Sequence, residues 1–116
     1  MSQRKVRLEH ALRDTLAELI AADVRDPRVV AVSMLTVTKV ELNVELSVAH
    51  VWVSIVGDAE QALEGLKKAA AFLRGPVGRR LSLQRAPELR FELDPGPDMA
   101  DKIAQILRED EEKRKQ

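Results

Sequence analysis

The fold is decided by residues 36–56, which run TVTKVELNVELSVAHVWVSIV and alternate between two sets of side chains. A two-residue repeat rich in β-branched residues predicts β-strands, because successive side chains of a strand point to opposite faces of a sheet. The stretch is too long for one ordinary strand, and Asn43 is its best turn former. We therefore predict an antiparallel hairpin with its turn near Glu41–Glu45. From Ala49 onward both faces become apolar, which predicts that the second strand is central in its sheet.

Amphipathic helices are predicted on both sides of this hairpin. Over residues 4–22 leucines recur at steps of three and four, which places them on one face of a helix. Residues 59–84 have the same spacing, with an interruption at Gly75-Pro76-Val77-Gly78. A short third strand over Glu88–Asp94 and a last helix beginning near Asp98 complete the order α-β-β-α-(break)-α-β-α.

The connection between the second and third strands is long enough for a right-handed parallel crossover. We therefore predict an α+β fold in which a three-stranded mixed sheet carries its helices on one face. Residues 1–107 are expected to form a single domain, as the length of 116 residues also indicates. The remaining residues, 108–116, have no apolar side chain and are expected to fray into solvent.

Composition excludes several classes of protein. With no cysteine, the chain has no disulfide, thiolate metal site or cysteine nucleophile, which fits a reducing cytoplasm. His10 and His50 match no zinc motif, and no Gly-Lys-Ser/Thr phosphate loop or Gly-x-Ser-x-Gly elbow occurs. No apolar run approaches the roughly 18 residues that cross a bilayer. We therefore predict a protein that is not an enzyme, binds no metal or cofactor and does not span a membrane.

The charges balance overall, with 19 basic and 19 acidic residues, but they are unevenly distributed. From Lys67 to Arg90 there are seven basic residues and one acid, a net charge of +6 that the rest of the chain balances with −6. Such a cluster is an electrostatic footprint for polyanions, and arginine forks onto phosphate better than lysine does. The alternative, a solvated helix face that happens to lack acids, is equally supported by sequence statistics. The candidate RNA-binding residues are Lys67, Lys68, Arg74, Arg79, Arg80, Arg85 and Arg90, with a second small group, Arg4, Lys5 and Arg7, on the first helix.

Two further features bear on how RNA would be bound. Gly75 to Gly78 matches the Gly-x-x-Gly loop that clamps nucleotides in KH domains, although a simple helix interruption explains the same residues. Trp52, Phe72 and Phe91 all fall at core-like positions, so no aromatic platform for stacking bases is expected. RNA would then be bound mainly through its backbone and shape.

Five stretches of the chain together have a specific order and spacing. They are Asp26-Pro27-Arg28, Thr38-x-Val40-x-Leu42, Ala49-His50-Val51-Trp52-Val53-Ser54, Ala69-Ala70-Ala71-Phe72-Leu73-Arg74 and Arg85-Ala86-Pro87-Glu88-Leu89-Arg90-Phe91-x-x-Asp94. In these stretches the chain resembles the ribosome-binding factor A family of bacterial small-subunit maturation factors, from about Arg4 to Leu107. The resemblance implies a type II KH-like fold. It also implies that an Ala-x-Gly helix kink replaces the Gly-x-x-Gly loop, at Ala69, Ala70 and Ala71, where Ala71 stands in place of the usual glycine.

The function that the resemblance implies is non-enzymatic. The protein would associate with the immature 30S small ribosomal subunit and promote late maturation and processing of 16S rRNA, near its 5′-terminal helix and the decoding region. It would be a cytoplasmic bacterial monomer with no small-molecule substrate. Two alternatives remain open. One is a protein-interaction module that uses the first strand's free edge or the C-terminal helix. The other is a phosphate-ester enzyme with the arginines as an anion clamp, although no general base or nucleophile lies near them in sequence.

Overall fold

Three strands form a single sheet in the order β1-β2-β3, in a computed structural model that describes residues 3–114. β1 (Met34–Leu42) and β2 (Val48–Val56) are antiparallel, and β3 (Glu88–Leu93) is parallel to β2. The hairpin, the central position of the second strand and the parallel crossover predicted from the sequence are therefore confirmed. The fold is the expected α+β arrangement around a three-stranded mixed sheet.

The side chain of Asn43 organises the hairpin turn. Its Oδ1 accepts hydrogen bonds from the backbone N–H groups of Ser47, at 2.8 Å, and Val48, at 3.0 Å. Its Nδ2 donates to the Ser47 hydroxyl at 2.9 Å. One buried amide thus satisfies several groups that the turn takes out of the ladder, as expected for asparagine in a turn.

A β-bulge in β1 changes which of its side chains face the core. The register pairs Val37 with Val53 and Lys39 with Trp52, so Thr38 is an extra residue between them. Its hydroxyl donates to the Trp52 carbonyl at 3.2 Å. Because one inserted residue reverses the alternation, Val37 and Val40 both face inward although the sequence pattern places them on opposite faces.

Two long helices pack on one face of the sheet, as predicted. They are α1 (Gln3–Asp23) and α3 (Ala59–Arg80), and a four-residue helix, α2 (Pro27–Val30), lies between α1 and β1 in sequence. The apolar stripes of α1 and α3 pack against the inward side chains of all three strands, and this burial of apolar surface stabilises the fold. The core includes Leu12, Leu16, Val40, Val51, Val53, Leu66, Leu73, Val77, Leu89 and Phe91.

The crossover between β2 and β3 contains one continuous helix of 22 residues, α3. The predicted break at Gly75-Pro76-Val77-Gly78 is therefore wrong, and so is the second crossover helix beyond it, because α3 ends at Arg80. The helix is likewise uninterrupted at Ala69, Ala70 and Ala71, where the resemblance implied a kink. Packing explains why the breakers do not end the helix: Leu73, just before them, and Val77, among them, are both fully buried in the core.

The last helix, α4 (Met99–Arg114), lies beside the sheet face opposite α1 and α3, where Lys102 Nζ is 4.0 Å from a carboxylate oxygen of Glu92. His50 and Trp52 point away from the core, since they alternate with Ala49, Val51 and Val53, yet both are buried. Ile106 of α4 is buried too, and it lines a cavity with His50. The expectation of helices on one face is therefore corrected for this helix. The physical reason is that β2 has an apolar or aromatic side chain on both faces, and both need cover.

Residues 108–114 continue α4, so the frayed tail expected from Arg108 onward is helical as far as Arg114. Residues 115 and 116, the end of that expected tail, lie outside the described part of the chain. Glutamate, lysine and arginine are good helix formers even without apolar neighbours, and the Gln105 amide donates to Glu109 one turn later at 3.2 Å. Among residues 3–114, no helix is long and apolar enough to cross a membrane.

Candidate nucleic-acid interface

Charge divides α3 into two parts. The acidic half (59–66) contains Glu60 and Glu64 and no basic residue, whereas the basic half (67–80) contains five basic residues and no acid. This order complements the helix dipole, which favours acids near the N-terminus and bases near the C-terminus. The basic half is where the sequence predicted most of the RNA contacts.

The exposed face of the basic half is built from two parallel rows of residues. Helical geometry brings residues at steps of four, three and four onto one line. The first line, here named the Arg74 row, consists of Lys67, Ala71, Arg74 and Gly78, and the second, named the Phe72 row, consists of Lys68, Phe72, Gly75 and Arg79. In the Arg74 row small residues alternate with cations, whereas the Phe72 row places Phe72 and Gly75 between its two cations.

The cations of the Arg74 row have partners within the protein. Arg74 donates from Nη2 to the Ala86 carbonyl at 2.9 Å, and Lys67 Nζ lies 3.7 Å from a Glu64 carboxylate oxygen. The Arg74 bond ties the loop after α3 to the helix. It therefore holds Arg85, the neighbour of Ala86 and itself exposed, beside the basic half.

Arg79 in the Phe72 row is free of partners. Within residues 3–114 it makes no ion pair or side-chain hydrogen bond. Its guanidinium lies over Gly75, with Nη1 only 3.4 Å from the position that a β-carbon would occupy there. The absence of a side chain on Gly75 therefore allows this cation to lie against the helix, available to an external anion.

Lys68, at the start of the same row, faces the junction between α2 and α3. There the Arg28 guanidinium and backbone N–H both bond the Asp26 carboxylate, at 2.8 to 3.0 Å, and lower the pKa of Asp26 to about 2. The charge of Lys68 contributes to the same lowering, but less than Arg28 does. Since Arg28 already pairs with Asp26, the ammonium group of Lys68 remains available to other anions.

Arg80 and Arg90 are turned toward other parts of the molecule. Arg80 forms an ion pair with Glu18 on α1, and Arg90 lies 2.6 Å from Glu88 on the same strand. Arg90 pairs in register with His50, so its side chain is on the sheet face that α4 covers. The structure therefore does not gather all seven predicted cations on one surface. Lys68, Arg74, Arg79 and Arg85 form the part that it does bring together.

The cations of α1 divide in the same way. Lys5 Nζ lies 3.8 Å from carboxylate oxygens of both Glu9 and Glu41, and Glu9 in turn accepts the Leu42 backbone N–H at 2.8 Å. Burial and the neighbouring Glu9 carboxyl raise the pKa of Glu41 to about 7, against the opposing charge of Lys5. Lys5 thus ties α1 to the end of β1. Arg4 and Arg7 are exposed on the first turns of α1, and their role in RNA binding stays a prediction.

The prediction that Phe72 lies in the core is wrong. It is 55% exposed, whereas Trp52 and Phe91 are buried as expected. The helical spacing contains the signal, because Phe72 lies about 100° around the helix from Leu73, which is fully buried. An exposed aromatic therefore lies within the basic half.

The described residues 3–114 contain no group of three or more His, Asp or Glu side chains that could hold a metal ion. The chemistry that the exposed side chains offer is that of anion binding, by guanidinium and ammonium groups around an accessible helix.

The order of elements and the mixed sheet define a type II KH-like domain, with its free cations on and beside the crossover helix. Its family follows from the sequence: a family model described as Ribosome-binding factor A matches residues 4–107, and the chain belongs to that family. This confirms the resemblance found in the sequence.

Relatives of known sequence and structure agree with this assignment. Ribosome-binding factor A of Desulforamulus reducens is 40% identical over 112 residues, which cover 94% of this chain and 91% of the relative. The crystal structure of ribosome-binding factor A from Thermus thermophilus is 37% identical, with a TM-score of 0.68, covering 77% of this chain and 94% of the other. A homology model of the Thermus thermophilus protein, fitted into the cryo-EM map of a complex with the 30S subunit, has a TM-score of 0.65 at 37% identity and covers 77% of this chain and 93% of its own.

Proposed function

We propose that this protein binds the small ribosomal subunit through the basic half of α3 and promotes late maturation of 16S rRNA. The observation that carries the proposal is the group of exposed cations without acidic partners, Lys68, Arg74, Arg79 and Arg85, on one surface of a KH-like domain. A relative at 37% identity has been fitted into a map of its complex with the 30S subunit, which supports the same partner here.

The charge distribution gives the protein an orientation on RNA. The four cations would contact phosphates, while the excess negative charge of the rest of the chain would face away from rRNA. Three further cations could contact rRNA only by exchanging their carboxylate partners for phosphates. They are Lys67, Arg80 and Arg90. Such an exchange is feasible because exposed ion pairs contribute only about 0 to 1 kcal/mol. Arg4 and Arg7 would extend the footprint if rRNA also reaches the start of α1.

Co-sedimentation with purified small subunits at increasing salt tests the binding. If about four phosphates are neutralised, the logarithm of the association constant should fall with the logarithm of salt concentration with a slope of about −3. The double variant Arg79→Glu/Arg85→Glu should lose at least about tenfold in affinity and show a shallower slope. Lys102→Glu, a single reversal on α4, and its combination with Lys113→Glu are the matched controls and should bind like the wild type. Salt-insensitive binding, or full affinity in the α3 double variant, would contradict the proposal.

The maturation role has a separate test in cells. Depletion of the protein should raise the ratio of precursor to mature 16S rRNA, with excess sequence retained at the 5′ end. The wild type should restore the ratio and the Arg79→Glu/Arg85→Glu variant should not, provided that both are present at equal amounts. If the double variant also restored the ratio, maturation would not depend on this surface. The protein would act in the cytoplasm as a monomer, without catalysis or a cofactor.

A protein-interaction module is the second candidate, and one observation favours it. Val30 at the end of α2, Met34 at the start of β1 and Val56 at the end of β2 are each more than half exposed, and β1 is an edge strand. Exposed apolar groups beside a strand edge are typical of protein contacts. A complex that withstands salt and is lost in Met34→Glu, while binding to small subunits persists, would assign this edge to a protein partner.

A further inference from the structure

Phe72 is an exposed aromatic side chain in a row of cations. Its side chain is 55% exposed, and the next residue, Leu73, is fully buried, so the exposure is confined to the outer face of α3. Lys68 precedes Phe72 by one helical turn, and Arg79 follows it by two. A phenyl ring left in water costs free energy that burial against a partner would recover.

Two features of the helix beside Phe72 add groups that a ligand could contact. Gly75, one turn further along the Phe72 row, has no side chain, and the Arg79 guanidinium lies over it. Pro76 has no N–H to donate to the Phe72 carbonyl four residues earlier, so that carbonyl lacks its regular helical donor. A flat apolar ring, a cation without a partner and a backbone acceptor are thus found within about two turns. These are the groups that contact the base, the phosphate and the ribose of an unstacked nucleotide.

We propose that Phe72 stacks on an unpaired RNA base, with Arg79 and Lys68 contacting the phosphates on either side of that nucleotide. The inference rests on the proposed RNA binding and specifies its target: a nucleotide outside a continuous duplex, because a base stacked within a helix presents no free face. Surrounding charge favours RNA over a protein pocket. To bury Phe72 in an apolar pocket, a protein partner would also have to desolvate Lys68 and Arg79, which is costly without anions.

The test uses the full chain and purified small subunits, with three substitutions at one position. Phe72→Ala and Phe72→Leu should each weaken binding about five- to hundredfold, the range that loss of one base stack produces. Phe72→Trp, which keeps an aromatic face, should bind at least as well as the wild type. Val44→Ala, which truncates an exposed side chain at the hairpin turn, is the control and should leave affinity unchanged.

Salt dependence separates stacking from charge. Phe72→Ala should lower affinity at every salt concentration without changing the slope, because no phosphate contact is lost, whereas Arg79→Ala should also reduce the slope. In parallel, a ten-nucleotide oligoadenylate should lose affinity in Phe72→Ala, whereas a ten-base-pair RNA duplex should bind the variant and the wild type equally. Chemical probing of the subunit should show a base protected by the wild type and by Phe72→Trp but not by Phe72→Leu.

The outcomes distinguish this inference from the proposed function. If Arg79→Glu/Arg85→Glu loses binding while Phe72→Ala retains it, RNA binding stands and the stacking contact is overturned. If Phe72→Leu binds like the wild type and only Phe72→Ala is weak, the contact is apolar and not a stack, which also overturns it. If the wild type does not bind small subunits, the proposed function fails first. Thermal unfolding of each variant checks that the exposed substitutions leave the fold intact.

Discussion

The two halves of α3 pack and expose their residues in different ways. In the acidic half, Ala62, Gly65 and Leu66 are buried, and Gly65 lies so close to α2 that a β-carbon there would be 2.8 Å from Val29 Cγ2. Asp58 caps this half, its carboxylate accepting the Gln61 backbone N–H at 3.2 Å. The basic half keeps a buried stripe but leaves its outer face to cations, two glycines and one exposed aromatic.

The difference shows how one helix provides both packing and a binding surface. The acidic half contacts the rest of the molecule on two sides, the sheet and α2, so its small residue is required by close packing. In the basic half, Gly75 has no such constraint, and both Gly75 and Pro76 weaken the helix. Residues that cost stability without a packing reason are expected where a surface serves a ligand.

Leu73→Ala is the substitution with the largest expected effect, and it tests whether the basic half is anchored as firmly as the acidic half. Leu73 is fully buried, so truncation should cost about 3 kcal/mol of unfolding free energy through lost burial and a cavity. Phe72→Ala, one residue away, should cost less than about 1 kcal/mol because the side chain is exposed. Urea unfolding measures both. Equal losses would mean that the outer face of the basic half is not free, and the contrast between the halves would fail.

Replacing a glycine by alanine should change the unfolding free energy in opposite directions in the two halves. Gly65→Ala gains up to about 1 kcal/mol in helix propensity, but its methyl group meets the stiff, buried Val29, and overpacking of this kind costs about 1–3 kcal/mol. A net loss of about 1 kcal/mol is expected. Gly75→Ala meets only the flexible Arg79 guanidinium at 3.4 Å and should gain about 0.5–1 kcal/mol. Urea unfolding of both variants measures these changes in unfolding free energy. Two changes of the same sign would contradict the difference in packing between the halves.

Much of this fold could be predicted because it depends on patterns local in the sequence. The hairpin follows from alternation about Asn43, and the central strand follows from the two apolar faces beyond Ala49. The β-bulge at Thr38 could not be predicted, since a single inserted residue leaves the alternation of the sequence unchanged. The continuity of α3 through Pro76 was also missed, because tertiary packing of Leu73 and Val77 outweighs a local preference.

The sequence predicts the excess of cations in the candidate interface but not which of their side chains lie together on one surface. The excess of cations between Lys67 and Arg90 is visible in the sequence, yet the partners of some of them come from distant parts of the chain. Arg80 pairs with Glu18, 62 positions away, and Arg74 bonds the Ala86 carbonyl. The position of α4 beside His50 could not be predicted for the same reason. Phe72 is the exception, because helical spacing alone places it off the buried stripe.

Acid should weaken the contact at the acidic half and leave the basic half unaffected, which is the smallest effect expected here. Asp26 anchors the junction that packs on Gly65, and its bonds with Arg28 lower the pKa of its carboxyl from 3.8 to about 2. A carboxyl whose pKa is lowered by folding contributes stability above its ordinary pKa and loses it as pH falls, here between about pH 4 and pH 2. Asp26→Asn keeps an oxygen that can cap α2 but has no charge to lose.

The difference between the wild type and Asp26→Asn in urea midpoint should therefore be largest above pH 4 and shrink toward pH 2. Asp14→Asn is the matched control, since Asp14 is an exposed aspartate within α1 that pairs with its neighbour Arg13 at 3.3 Å. It should leave the acid-induced loss of stability as in the wild type. If the Asp26→Asn and wild-type curves instead run parallel from pH 6 to pH 2, the ion pair does not stabilise the junction. Shape complementarity around Gly65 would then be the main contact that distinguishes the acidic half of α3 from the basic half.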